Sequence, residues 1–377
     1  MQADTQIDAL EQELARLEGA IARECAEIAS VLARPLPTDS ARITAGQRRI
    51  TGLAREVMAM LPRFDRVEGE LASEARARAA AQGGAALLPQ RWYALRARTH
   101  RLRGDMNRWH EVGALLAQQA PPSASPLYVM RDALPEALIT QAEVGDALLN
   151  SLHRLINPEE QAQAAHAHGC HADIGLAQST FLEHAHAAYR LYLAQRRRAP
   201  ARFLDVGCGA GLKVATAIEF FPRADGLEYD PGYARTAQSL FAAMGLAQCR
   251  VIEGDAMAFD GYDDYDVVYF YRPMRDMDAM KALEARIAAG VRPGTILIAA
   301  YGGFAARHAD LGCAHVAGNL FVAHASTEEA AQLRCDAEYI GPFVRRRETA
   351  LTSVWEPILA ASHANGYGLR RATPIRV

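Results

Sequence analysis

Cysteine is scarce and scattered. Six occur in 377 residues, at Cys25, Cys170, Cys208, Cys249, Cys313 and Cys335, and none forms a C-x-x-C pair. Neither a disulfide framework nor a zinc ribbon is indicated, and a reducing cytoplasm fits. No apolar run approaches the roughly twenty residues that a bilayer-spanning helix needs, and the first residues are polar and acidic rather than basic then apolar, unlike a secretory signal. These absences point to a soluble, cytoplasmic protein. A dominant charge of one sign is also missing: the net charge of −3 gives no global attraction to nucleic acid or to an anionic membrane. Lysine is nearly absent beside arginine, and alanine is abundant, a bias that reads as genome composition rather than chemistry. What is present is apolar content, 50% of the residues, enough for a sizeable core, and a length that suits two or three domains.

The most informative stretch is Phe203-Leu-Asp-Val-Gly-Cys-Gly-Ala-Gly211. Phe203, Leu204 and Val206 suit a buried parallel strand, and Gly207, Gly209 and Gly211 let the chain turn sharply into a helix beginning near Leu212. Alone, such a turn is weak evidence, because its third glycine falls one residue early for the common dinucleotide fingerprint. The downstream spacing strengthens it. A second strand, 224–228, ends in Glu228, where an acid can accept both hydroxyl hydrogens of a ribose. After a helix over 231–245, a third strand, 249–253, ends in Gly254-Asp255-Ala256, with a short acid placed to accept from an adenine amino group. A fourth strand, 265–271, ends in Arg272-Pro273. This rhythm predicts a doubly wound α/β sheet with ligands at the carboxyl ends of its strands.

With these motifs in order, residues from about 200 to 325 resemble the class I S-adenosylmethionine-dependent methyltransferases. Asp205-Val-Gly-Cys-Gly-Ala-Gly211 matches the family's first motif, Gly-Leu-Glu228 its second and Gly-Asp255-Ala its third. The resemblance implies a Rossmann-like sheet ordered 3-2-1-4-5-7-6, closed by a hairpin-like pair at 313–316 and 320–324. It implies S-adenosyl-L-methionine as cofactor, its methionine part held by Asp205 and the turn of Gly207, Gly209 and Gly211, its ribose by Glu228 with Tyr229 beside it, and its adenine by Asp255 with the backbone of Ala256 and Met257. The methyl then points to the tip of the fourth strand, so Tyr271 and Arg272 are the candidate catalytic residues. Tyr269 and Pro273 lie beside them, and strand alternation makes at least one tyrosine a packing residue.

The acceptor is less legible. The fourth tip carries no Asn-Pro-Pro-Tyr or Asp-Pro-Pro-Tyr of the amino-directed base methyltransferases and no Pro-Cys nucleophile, and nothing resembles the metal ligands of catechol-type enzymes. O- or N-methylation remains, with a small molecule favoured over a protein and nucleic acid not expected. Arg272 presents a planar fork suited to an anionic group on the acceptor, and its other available partners are Asp264 and Asp266. The competing reading is a cofactor-binding assembly or scaffold protein with little or no turnover.

Before the sheet, residues 1–120 read as an all-α N-terminal helical domain. Ile7, Leu14, Ile21 and Ile28, with Leu10, Leu17, Glu24 and Val31, form a heptad seam that suits either an intramolecular bundle or a coiled coil joining a homodimer. Further helices are expected at 40–61, 64–82 and 89–118, with breaks at Pro35, Pro37 and Gly83-Gly84. In the last of these, Arg91, Arg96, Arg98, Arg101, Arg103 and Arg108 accompany Trp92, Tyr93 and Trp109, as either a nucleic-acid face or a solvated one; the region's net charge of only about +2 favours the latter. Residues 121–160, opening on Pro121-Pro122, are expected as linker and bridging helix, 161–325 as the methyltransferase domain, and 326–377, with Arg345-Arg-Arg347, as a C-terminal extension. No metal is expected, although His166, His168, Cys170 and His171 are candidate ligands without a known zinc spacing. Asp173 to Glu183, with Gln178-Ser179-Thr180-Phe181, is a polar stretch placed to line the acceptor side.

Overall fold

The computed structural model describes residues 2–34, 39–83, 85–120, 123–157, 160–172, 174–197, 199–308, 310–341 and 353–369. The expected features at Pro35, Pro37, Gly84, Pro121-Pro122, Asp173 and Arg345–Arg347 lie outside these residues. The chain divides into two compact units, one of Met1–Ser123 with Thr349–Ala364 and one of Ala124–Glu348 with Asn365–Val377.

The first unit is helical. Helix α1 (Gln2–Leu32) lays its seam inward, Ile7, Leu10, Leu14, Leu17, Ile21, Ile28 and Val31 all being buried. The seam that would serve a homodimer is therefore covered inside the chain, by α2 (Ser40–Gln82), α3 (Gln90–Asn107) and the helix Glu356–Ala364. At the position where Glu24 interrupts the pattern, the neighbouring Cys25 is buried instead, its thiol pushed up to about 12 by desolvation, while Glu24 pairs with Arg49 at 2.7 Å. Helix α2 runs unbroken where two helices are expected. Pro62 lies inside it and costs about 3 kcal/mol, but the buried stripe Val57, Met60, Phe64, Val67 and Leu71 passes straight through, and the proline falls on an outer face. The stretch 89–118 breaks instead at Arg108, between α3 and α4 (Trp109–Gln119).

Three of the five arginines of α3 meet acids. Arg91 pairs with Asp8 and Glu11, Arg96 with Glu68 at 2.9 Å, and Arg98 with Glu18 at 2.6 Å. Trp92 is fully buried against Phe64, and Trp109 packs on Trp355. The segment expected as one C-terminal extension thus divides: Trp355 and its helix complete the first unit, whereas the stretch up to Gly341 belongs with the sheet.

The second unit opens with α5 (Glu136–Ile156), α6 (Gln163–His168) and α7 (Gln178–Ala194). The sheet then alternates with helices: β1 (Arg202–Val206), α8 (Leu212–Ala217), β2 (Arg223–Glu228), α9 (Pro231–Ala243), β3 (Cys249–Glu253), β4 (Val267–Phe270), α10 (Met277–Gly290) and β5 (Ile296–Ala299). After α11 (Phe304–Arg307) come β6 (Cys313–Ala317), β7 (Leu320–Ala323) and α12 (Thr327–Glu338). The order is β3-β2-β1-β4-β5-β7-β6, as the motifs imply, with β1 to β5 parallel and β7 antiparallel to both neighbours. Alternation puts Phe203, Tyr269, Ile296 and Ile298 into one core with α7, and Leu204, Val206, Val268 and Phe270 into another with α10. The central strands are covered on both faces, so polar side chains emerge only at the strand ends. Among the described residues, no helix is long and apolar enough to cross a membrane.

Candidate active site at the carboxyl ends of the strands

The glycine turn is built by backbone bonds to the next strand. Gly207 N and Cys208 N donate to Leu227 O at 2.8 and 3.2 Å. Gly207 sits at φ +78°, and a Cβ there would fall 2.8 Å from Cβ of Pro273, so any side chain would both strain the turn and push away the tip of β4. Such a cradle suits a ligand that approaches the backbone closely. Cys208, within the turn, is buried at the edge of the cleft.

Glu228 is the hinge of the arrangement. It is buried, and its two carboxylate oxygens accept from Gly209 N and Asp230 N, each at 2.8 Å, tying the turn to the start of α9. Asp205, also buried, is the last residue but one of the adjacent strand, in register with Gly226 and Tyr269. At the third tip Asp255 Oδ1 accepts from Met257 N at 2.8 Å, and the carbonyl of Ala256 accepts from the Tyr262 hydroxyl. These three acids line one cleft of about 1130 Å³ including its open mouth, together with Tyr229, Tyr271 and Arg272.

Tyr269 and Tyr271, two residues apart, share one face of the chain at the end of β4 and pack against the same core. Burial separates them: Tyr269 is 2% exposed and packs edge-on against Phe181, so it is the packing tyrosine, while Tyr271 is only half-buried, and both border the cleft. Arg272 adopts φ +46°, a left-handed conformation that costs a non-glycine residue of order 1 kcal/mol or more. Its expected internal partners are elsewhere. Asp266 binds Arg197 and Arg292, each at 2.9 Å, and Asp264 binds Arg202 at 3.4 Å, all at the opening end of β4. The Arg272 guanidinium lies over the Tyr301 ring, 5.1 Å from its centroid, and among the described residues it has no carboxylate partner.

The histidine-rich stretch forms a strap over this end of the sheet. Ala162 N donates to Asp230 Oδ2 at 2.7 Å, His171 N to Pro273 O and Arg275 N to Gly169 O, each at 2.9 Å, and the Arg275 guanidinium to His166 O. Gln161 Nε2 closes the strap on itself through Cys170 O and His171 O. Among the described residues, no three His, Cys, Asp or Glu side chains gather in a metal-binding group. Read in sequence only as metal candidates, His168 and His171 both reach the cleft. Burial and the nearby Arg272 and Arg275 lower the pKa of His171, and among the described residues its buried Nε2 has no hydrogen-bond partner.

The polar stretch before β1 is partly drawn in. Gln178 lines the cleft and accepts from Lys213 Nζ at 2.8 Å, whereas Ser179 is bound by Asp146 of α5 and Phe181 is core. Lys213, which sequence reasoning passed over, had one signal: it is one of two lysines in the chain.

Residues 203–294 match the family model described as a methyltransferase domain. With the sheet order and the glycine turn already in place, this region is a class I methyltransferase domain, whose cofactor is S-adenosylmethionine. Among solved structures, an amino pentose methyltransferase from Micromonospora echinaspora involved in calicheamicin biosynthesis is 30% identical over 37% of this chain and 56% of its own, with a TM-score of 0.27. A sugar N-methyltransferase from Streptoalloteichus is 24% identical over 31% of this chain and 47% of its own, with a TM-score of 0.25. An RNA methyltransferase from Salinibacter ruber is 21% identical over 33% and 75%, with a TM-score of 0.27. The chain spans about half the length of the first two, and scores this low carry no argument about substrate. No curated protein matches the chain.

Proposed function

We propose that the chain is an S-adenosylmethionine-dependent methyltransferase acting on oxygen or nitrogen of a small acceptor that bears an anionic group. The observation that carries this is the meeting, in one cleft, of three acids at successive strand tips with an arginine that, among the described residues, has no acid of its own. Asp205 and the Gly207 turn would hold the methionine part, Glu228 the ribose, and Asp255 with Ala256 and Met257 the adenine. Glu228 suits its role because each oxygen already faces a fixed amide donor, so the carboxylate is oriented before a ribose arrives.

When bound, the cofactor supplies an electrophilic methyl group on a sulfonium. The chain's residues supply position, exclusion of water and a proton acceptor. Arg272 orients the anionic group through its planar fork, and Tyr271 contacts the nucleophilic end. His171, whose pKa is lowered by burial and by the nearby Arg272 and Arg275, accepts the proton that the acceptor's O–H or N–H loses as its lone pair takes the methyl. The strap and α5 narrow the approach, which favours a small molecule over a macromolecule. In the helical unit, the pairing of Arg91, Arg96 and Arg98 with acids argues against a nucleic-acid face.

The test is release of S-adenosylhomocysteine from S-adenosylmethionine with carboxylate- or phosphate-bearing acceptors and their uncharged esters. Turnover confined to the anionic members supports the reading. Tight cofactor binding with no release for any acceptor would favour a scaffold protein instead.

A further inference from the structure

The His168 ring lies face to face with Tyr229, centroids 4.2 Å apart and planes inclined by 8°, and its Nε2 stands 3.4 Å from Asp255 Oδ1. A flat, nitrogen-bearing ring stacked beside the second strand tip and directed at the acid of the third tip reproduces what an adenine base would do there. Both contacts are ones the base needs. A planar ring and a purine cannot share one face of Tyr229, and Asp255 Oδ1 already takes the Met257 amide besides facing the imidazole.

Resting on the cofactor reading above, we infer that His168 is an internal occupant of the adenine subsite, which the base must displace. The strap carrying it is held by the bonds from Ala162, Gln161, Gly169 and His171 and by Arg275 at His166. The backbone therefore stays, and the exchange is a side-chain rotation of His168 away from Tyr229. His168 is about 30% exposed, so solvent receives the ring without opening the strap. The effect on affinity is modest, because a half-exposed stack and a half-exposed polar contact are each weak. The site then discriminates between ligands: only those that stack on Tyr229 and donate to Asp255 replace both interactions.

Calorimetry with S-adenosylhomocysteine and with adenosine, on the full chain at fixed pH and salt, tests this. His168→Ala should tighten both ligands by about 3- to 10-fold, and His168→Phe, which keeps a ring for stacking but cannot reach Asp255, should fall between variant and parent. In the parent, the His168 ring resonance in a histidine-labelled spectrum should move when S-adenosylhomocysteine is added. Unchanged or weakened affinity in His168→Ala, or a histidine resonance that stays in place while ligand binds, overturns the inference and leaves the cofactor reading intact. Absence of binding to the parent and to both variants overturns the cofactor reading itself.

Discussion

Where the parallel strands begin, buried carboxylates are met by arginine. Asp225, fully buried in β2, faces Arg250 at 3.0 Å, Arg223 at 3.6 Å and the Tyr265 hydroxyl at 2.8 Å, and Asp266 sits between Arg197 and Arg292. Where β2 ends, the carboxylates are met by backbone amides: Glu228 by Gly209 and Asp230, and Asp230 by Gly232, Tyr233 and Ala162. At the tip of β4, Arg272 rests on the Tyr301 ring beside Arg307, which is paired with Glu284. The two edges use similar residues for different ends. A guanidinium neutralises a buried carboxylate, so that removing either partner is costly, and leaves the acid no net charge to offer a ligand. Amide donors orient a carboxylate while keeping its charge and its outward lone pairs.

The largest effect that separates the edges should come from Asp225→Ala. Removing this acid strands the buried Tyr265 hydroxyl and leaves the half-exposed Arg250 and Arg223 without their acid, and denaturant unfolding should show a loss of about 3 kcal/mol, with cofactor affinity retained while the protein is folded. A loss below 1 kcal/mol would make the opening edge no more structural than the other.

Next in size is a pH dependence from α7, which covers the sheet between the two edges. Burial against Phe220, with Arg190 adding to it, lowers His186 from the ordinary histidine value to about 3. Below pH 6.5 the unfolded chain takes a proton that the folded chain refuses, so stability should fall by about 1.4 kcal/mol per pH unit as pH drops from 6.5 toward 3. Glu183 works in the opposite sense: burial raises it to about 7, so its share is lost as pH rises from 4.5 to 7. Unfolding of parent and His186→Phe across pH 4–7 isolates the first effect, and parallel curves would refute it.

The smallest concerns Arg272. Lysine at this position keeps the charge and loses the planar fork, so turnover of an anionic acceptor should fall about tenfold, near 1.4 kcal/mol, while S-adenosylhomocysteine affinity stays unchanged. Equal turnover in parent, lysine and alanine variants would reduce Arg272 to a partner of Tyr301.

Much of the closing edge is legible in sequence, because strand length and helix length fix where each tip falls: Asp205, Glu228 and Asp255 are placed by local spacing alone. The alternative of Asp264 or Asp266 as partner of Arg272 was open to the same arithmetic. From Asp266 to Arg272 is six residues of extended chain, about 20 Å, so an acid at the opening of β4 does not reach its tip. What spacing does not encode is non-local. The burial of Trp355 beside Trp109 joins residues 246 positions apart, and the continuity of α2 through Pro62 depends on the partners its stripe finds. The positions of His168 and His171 follow from backbone bonds between the strap and residues 273–275, which leave no trace in composition.

The central claim is that the amide-held carboxylate at the end of β2 receives the cofactor's ribose. Calorimetry of S-adenosylhomocysteine binding to the parent, Glu228→Ala and Asp225→Asn tests it most directly. Loss of two charge-assisted bonds should weaken Glu228→Ala by about 2–3 kcal/mol, roughly 30- to 150-fold, while folded Asp225→Asn binds as the parent does. Equal affinity in the parent and Glu228→Ala would contradict the account.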